Sequence, residues 1–220
     1  MSFGILFWDE IRGFIKSKIM ITLWVGMPVL SIILHFIQPN AEGMPVTILT
    51  SLLLASIGGL LAAVMLSTTI VNERNAKVYD LFLIRPVKRW HLLLTKYLAV
   101  FLCLLIASIL SIVLGIIIDY ATIGLSATAI ILEALKSLAI ALAAMSISCA
   151  IGILIGILVN SVALAAILSI YLGEQLSVLA VLPSVLLENI NPALFSIGIG
   201  LGITVIVIII EIAIFNRKQF

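Results

Sequence analysis

A chain of 220 residues that is 64% hydrophobic and 10% charged, with a mean hydropathy of +1.38, is no ordinary water-soluble domain, for which about 45–50% apolar residues is usual. It reads as one all-α transmembrane domain over residues 1–220, with the lipid bilayer as its solvent, no room for a sizeable soluble domain and no nucleic-acid partner. The net charge of +2 decides little, but the basic residues gather in 1–18, 72–96 and 216–220, and the runs between them reach the about 20 apolar residues that a helix needs to cross a bilayer.

The first 18 residues do not read as a secretory signal: they hold Asp9, Glu10, Arg12, Lys16 and Lys18, and no small-x-small cleavage site follows the first apolar run. On a helix, Phe3, Phe7, Ile11, Phe14 and Ile15 share one face, and Asp9, Arg12 and Lys16 the other. Such a helix lies in the membrane interface; the alternative is a continuation of the first span as one tilted helix. Spans are predicted over residues 19–37, 46–71, 97–118, about 137–159, from Ser161 onward, and over 193–215. Polar punctuation separates them: Gln38-Pro39-Asn40, Asp119-Tyr120, Asn160-Ser161 and Glu188-Asn189-Ile190-Asn191-Pro192. Gly152/Gly156 and Gly198/Gly202 stand at the spacing that lets helix backbones approach. Cys103 and Cys149 fall inside apolar runs and read as buried small hydrophobes.

The fifth span is irregular. Its apolar run meets Gly173-Glu174-Gln175 after about 13 residues, roughly 20 Å of helix against a ~30 Å hydrocarbon core. Apolar sequence then resumes and meets Pro183. This predicts a helix that stops part-way, then an outer re-entrant segment over 174–192. Glu174 would cap its first short helix (175–182) and Pro183 would turn the chain into a second (184–190), with Glu188 in the same outer region. The alternative is a plain helix over 161–182 with Glu174 near the outer interface.

Six spans with both termini in the cytoplasm place Arg12, Lys16, Lys18, Arg74, Lys77, Arg85, Lys88, Arg89, Lys96, Arg217 and Lys218 inside, which is 11 of the 12 basic residues, and leave Lys136 outside. Five or seven spans break this segregation. The apolar runs are continuous rather than alternating, which excludes a β-barrel.

Residues 72–96 form a 25-residue cytoplasmic segment, far longer than the few residues that suffice to link two helices. Tyr79, Leu81, Phe82, Leu83 and Ile84 offer an apolar side to a short helix that Pro86 ends. A two-faced helix at the cytoplasmic surface suits docking on a soluble partner. A solvated loop rich in positive-inside charge explains the basic residues but not these apolar ones.

Here the chain resembles a known family: the membrane-spanning permease subunit of type-2 ABC exporters. The resemblance rests on Glu73-Arg74, Asp80, Leu81, Leu83, Arg85-Pro86-Val87 and Lys96. Members commonly show Glu-Arg-x-x-Gly-Thr-x-Glu, two leucines, Pro-Val or Pro-Ile, and Gly-Lys entering the third span. In this chain Lys77-Val78 stands where Gly-Thr is usual, Asp80 replaces Glu, and Thr95 replaces the Gly before Lys96. The resemblance implies a coupling helix near 77–84 that a cytoplasmic ATPase pushes as it closes on ATP. The docking residues it implies are Glu73, Arg74, Tyr79, Asp80, Leu81, Phe82, Leu83 and Arg85. Glu73 and Asp80 would pair with basic groups of the ATPase, and Tyr79, Leu81 and Phe82 would be its apolar anchors. It further implies a plasma-membrane complex of two permeases, identical or related, with two ATPases. ATP and Mg would sit on the ATPase, and this chain would hold no catalytic residue, cofactor or metal.

Two other classes are weighed. An intramembrane enzyme wants titratable groups at depth, yet His35 and His91 lie near span ends without metal spacing, and no Gly-x-Ser-x-Gly occurs. An ion-driven transporter or channel wants charges lining the spans or an inverted repeat, and the spans read as almost uncharged. No Gly-x-x-x-x-Gly-Lys-Ser/Thr occurs, so nucleotide chemistry is expected on a partner. The span hydroxyls Ser67, Thr68, Thr69, Ser108, Ser111, Ser146 and Ser148 serve either helix packing or a path for amphipathic cargo.

Overall fold

The computed structural model describes residues 3–37, 46–77, 89–122, 127–186 and 192–217, and no strand occurs among them. In chain order the helices are α1 (Phe3–Ile15), α2 (Lys18–Ile37), α3 (Val46–Leu53), a π-helical turn (Leu54–Gly58), α4 (Gly59–Asn75), α5 (Arg89–Thr122), α6 (Ala127–Leu158), α7 (Val162–Leu186) and α8 (Pro192–Arg217). Five stretches are long and apolar enough to cross a bilayer: Thr50–Asn75, Trp90–Ala121, Ile131–Leu158, Val162–Leu182 and Ala193–Phe215. The protein is therefore all-α and multi-pass. The crossing expected at 19–37 falls on α2, which meets that criterion only together with α1, across a bend of 61°.

The bundle is built around α6. Of its apolar stretch 72% is buried within the chain, against 22% for those of α7 and α8. Small side chains explain this position. A Cβ on Gly152 would lie 2.6 Å from the Ala63 carbonyl oxygen, and one on Gly156 2.9 Å from Ile70 Cβ, so α4 packs backbone to backbone on α6. On α8 the contact is made by Gly200, whose Cβ would meet Ala143 Cβ at 2.8 Å. Gly198 and Gly202 face open space, which corrects the expected pairing by one helical face.

The hydroxyls serve packing. Ser67, Ser108 and Ser146 donate to carbonyls three residues back, and Thr68 to one four back. Ser111 donates to the Met27 carbonyl across to α2, and Ser148 to that of Gly173 on α7. Cys103 and Cys149 are both buried.

Helix α1 forms where amphipathicity places it, but it docks on α5, and its stripe divides between protein and surroundings. Leu6, Ile11 and Phe14 are buried, whereas Ile5, Trp8 and Ile15 point outward.

The fifth span corrects the expectation of a break. Helix α7 runs unbroken from Val162 to Leu186, through Gly173, Glu174 and Pro183, so neither short element forms over 174–186. Gly173 serves close approach rather than a stop: its Cβ would lie 3.1 Å from Ala63 Cβ. Pro183 stands three residues before the helix ends, and α7 carries it without a break. Glu188 lies outside the described residues.

Candidate functional site

Helix α4 leaves the membrane through its own C-cap. Ala76 N–H donates to the Asn72 carbonyl and Lys77 N–H to that of Arg74. Lys77 then turns left-handed at φ 55°, a conformation that favours glycine and costs other residues about 1 kcal/mol or more. It is the position at which the exporter motif carries glycine.

Just inside this exit lies the densest charge cluster among the described residues. Lys96 of α5 is 3% exposed, and its Nζ donates to Glu10 Oε1 of α1 at 2.7 Å and to Glu73 Oε1 of α4 at 2.6 Å. One buried cation thus joins three helices. Removing one partner of such a pair leaves an uncompensated buried charge, the most costly way to break it. Burial pushes the Glu10 carboxyl above the ordinary carboxylate range even with Lys96 beside it. A cavity of about 400 Å³ between α1 and α4 reaches the two carboxylates, with Ser17, Thr68 and Asn72 on its wall.

Arg74, one residue after Glu73, turns the other way. Its guanidinium donates to the Ile157 carbonyl at 3.1 Å and to the Val159 carbonyl, satisfying the orphan carbonyls at the end of α6 with the charge sign that a helix C-terminus prefers. Glu73 and Arg74, expected to face a partner, are thus both engaged within the chain. Tyr79, Asp80, Leu81, Phe82, Leu83 and Arg85 lie outside the described residues, on the segment that α4 and α5 bracket.

Further carboxylates lie inside spans, Glu174 and Glu211 among them, which corrects the reading of the spans as almost uncharged. Glu174 sits twelve residues from either end of α7, inside its apolar stretch Val162–Leu182. It accepts a hydrogen bond from Ser56 of the π-helical turn at 3.3 Å. A lone carboxylate inside a span is costly to insert. Glu211 of α8 is 1% exposed beside Trp90, Leu93 and Tyr97, and its Oε1 has no hydrogen-bond partner among the described residues. Two helical turns earlier on α8, the Thr204 hydroxyl shares a hydrogen bond of 3.1 Å with that of Ser146 on α6. Glu211 was visible in the sequence as the lone acid within the last apolar run.

Set against known proteins, the chain matches no protein-family model and no curated protein.

Proposed function

We propose that this chain is the membrane subunit of an ATP-driven exporter, one of two permeases that enclose a path and take their power from a separate cytoplasmic ATPase. The observation that carries the reading is the Lys96 clamp. Glu10, Glu73 and Lys96 tie α1, the last turn of α4 and the first turns of α5 into one body around both ends of segment 78–88. A push on that segment then moves three helices together instead of bending a loop. The left-handed backbone at Lys77, in the glycine position of the exporter motif, supports the same alignment.

In this reading Glu73 and Arg74 brace the frame. Docking falls to Tyr79, Leu81 and Phe82 as apolar anchors, with Leu83, Asp80 and Arg85 around them; aromatic anchors seated in a pocket dominate such interfaces. Six spans, both termini in the cytoplasm and a place in the plasma membrane complete it.

An ion-driven transporter is the second reading, and Glu211 is the observation that favours it, since an intramembrane acid is a common proton or ion site. Purification of the tagged full chain from its native membranes separates the two. The permease reading expects an ATPase to co-purify and to be lost when Tyr79, Leu81 and Phe82 are all replaced by Ala. Retention of the ATPase by that variant removes the assigned docking face, and a chain that never carries an ATPase leaves the ion-driven reading.

A further inference from the structure

Among the described residues Glu174 has no basic partner. The ion pairs among the described residues join Lys96 to Glu10 and Glu73, and Lys136 to Glu133. What meets the Glu174 carboxylate is one hydroxyl, that of Ser56. Ser56 stands in the π-helical turn Leu54–Gly58, an interruption of the ordinary ladder of a kind that concentrates at functional sites. One turn before Glu174 on the same side of α7, Tyr171 is 65% exposed, and Ile167 and Val178 are exposed above and below. Only 22% of the α7 span is buried by the rest of the chain. A charge inside a span faces protein or a wet cavity rather than lipid, and the exposed side of α7 beside Glu174 is where a path or a second copy would meet its carboxylate.

From these groups we propose that Glu174, Ser56 and Tyr171 form a recognition site, within the spans, for the charged head of an amphipathic organic cation. The carboxylate and the Ser56 oxygen accept from an ammonium, a charge-assisted pairing stronger than a neutral one. The Tyr171 ring offers its face to the same positive charge, and Ile167 and Val178 receive the apolar body. A hard metal ion fits worse, because calcium asks for six to eight oxygens and magnesium for a near-octahedral set, where this site offers a carboxylate and one hydroxyl. As the place of cargo recognition the site rests on the permease reading; as a cation site it stands without it.

The test is equilibrium binding of 1-naphthylmethylammonium to the full-length protein in nanodiscs of zwitterionic lipid, with empty nanodiscs subtracted and uncharged 1-ethylnaphthalene as control. Wild type is expected to bind the cation saturably and not the neutral isostere. Glu174→Gln is expected to lose about tenfold or more in affinity, the scale of one charge-assisted hydrogen bond, and Glu174→Asp less. Equal binding by wild type and Glu174→Gln, or no saturable binding above empty discs, overturns the proposal. If Glu174→Gln does not fold, Ser56→Ala and Tyr171→Leu are each expected to weaken binding several-fold, and full affinity in both overturns it as well. ATPase co-purification is scored separately: cation binding without an ATPase defeats the permease reading alone, and an ATPase without cation binding defeats the site alone.

Discussion

Lys96, at 3% exposure between two carboxylates, is the residue on which the junction of α1, α4 and α5 depends most. Lys96→Met leaves Glu10 and Glu73 facing each other without their cation. The expected loss is about 3 kcal/mol, read as a lower unfolding midpoint in detergent. Adding Glu10→Gln and Glu73→Gln to Lys96→Met should recover a good part of it, because the uncompensated charge then disappears; no recovery would mean that Lys96 acts through its packing instead. At Lys77 the opposite sign is expected. Lys77→Gly relieves a left-handed backbone at φ 55° and should stabilise the exit of α4 by about 1 kcal/mol. A fall in stability would show that the lysine side chain matters there more than its backbone. Glu73, Arg74 and Lys96 stood out in the sequence by their motif, yet nothing in the sequence pairs them. Lys96 and Glu10 are 86 positions apart, and only the docking of α1 on α5 brings them together.

Among the elements, the spans were readable because lipid tolerates few charges and the chain obeys that constraint run by run. What the sequence could not show was how α7 would treat Gly173, Glu174 and Pro183. Local rules read them as a stop, but α7 runs through all three: Gly173 meets the close approach of α4, Glu174 meets the Ser56 hydroxyl, and Pro183 comes only three residues before the helix ends. The glycine pairs show the same limit, since spacing identified Gly152 and Gly156 correctly but chose Gly198 and Gly202 where the contact belongs to Gly200. The difference is measurable. Gly152→Ala forces a Cβ to within 2.6 Å of the Ala63 carbonyl oxygen and should destabilise by about 1–3 kcal/mol. Gly202→Ala meets open space and should gain about 0.5–1 kcal/mol of helix propensity. Equal effects at the two positions would contradict the packing described.

For the whole molecule, the partition of basic residues argues for both termini in the cytoplasm, with α2 as the first of six crossings. In a chain freed of Cys103 and Cys149, an impermeant thiol reagent added outside should label Asn40→Cys and Asn189→Cys and leave Arg85→Cys and Lys218→Cys untouched. Labelling of Arg85→Cys from outside would reverse the topology and place segment 78–88 beyond the reach of any cytoplasmic ATPase. In the permease reading that segment takes its force from such a subunit. The most direct measurement is native mass spectrometry of the complex extracted from its own membranes. The expected assembly holds two permease chains, identical or related, and two copies of an ATPase; a chain that appears alone, or only with copies of itself, would contradict it.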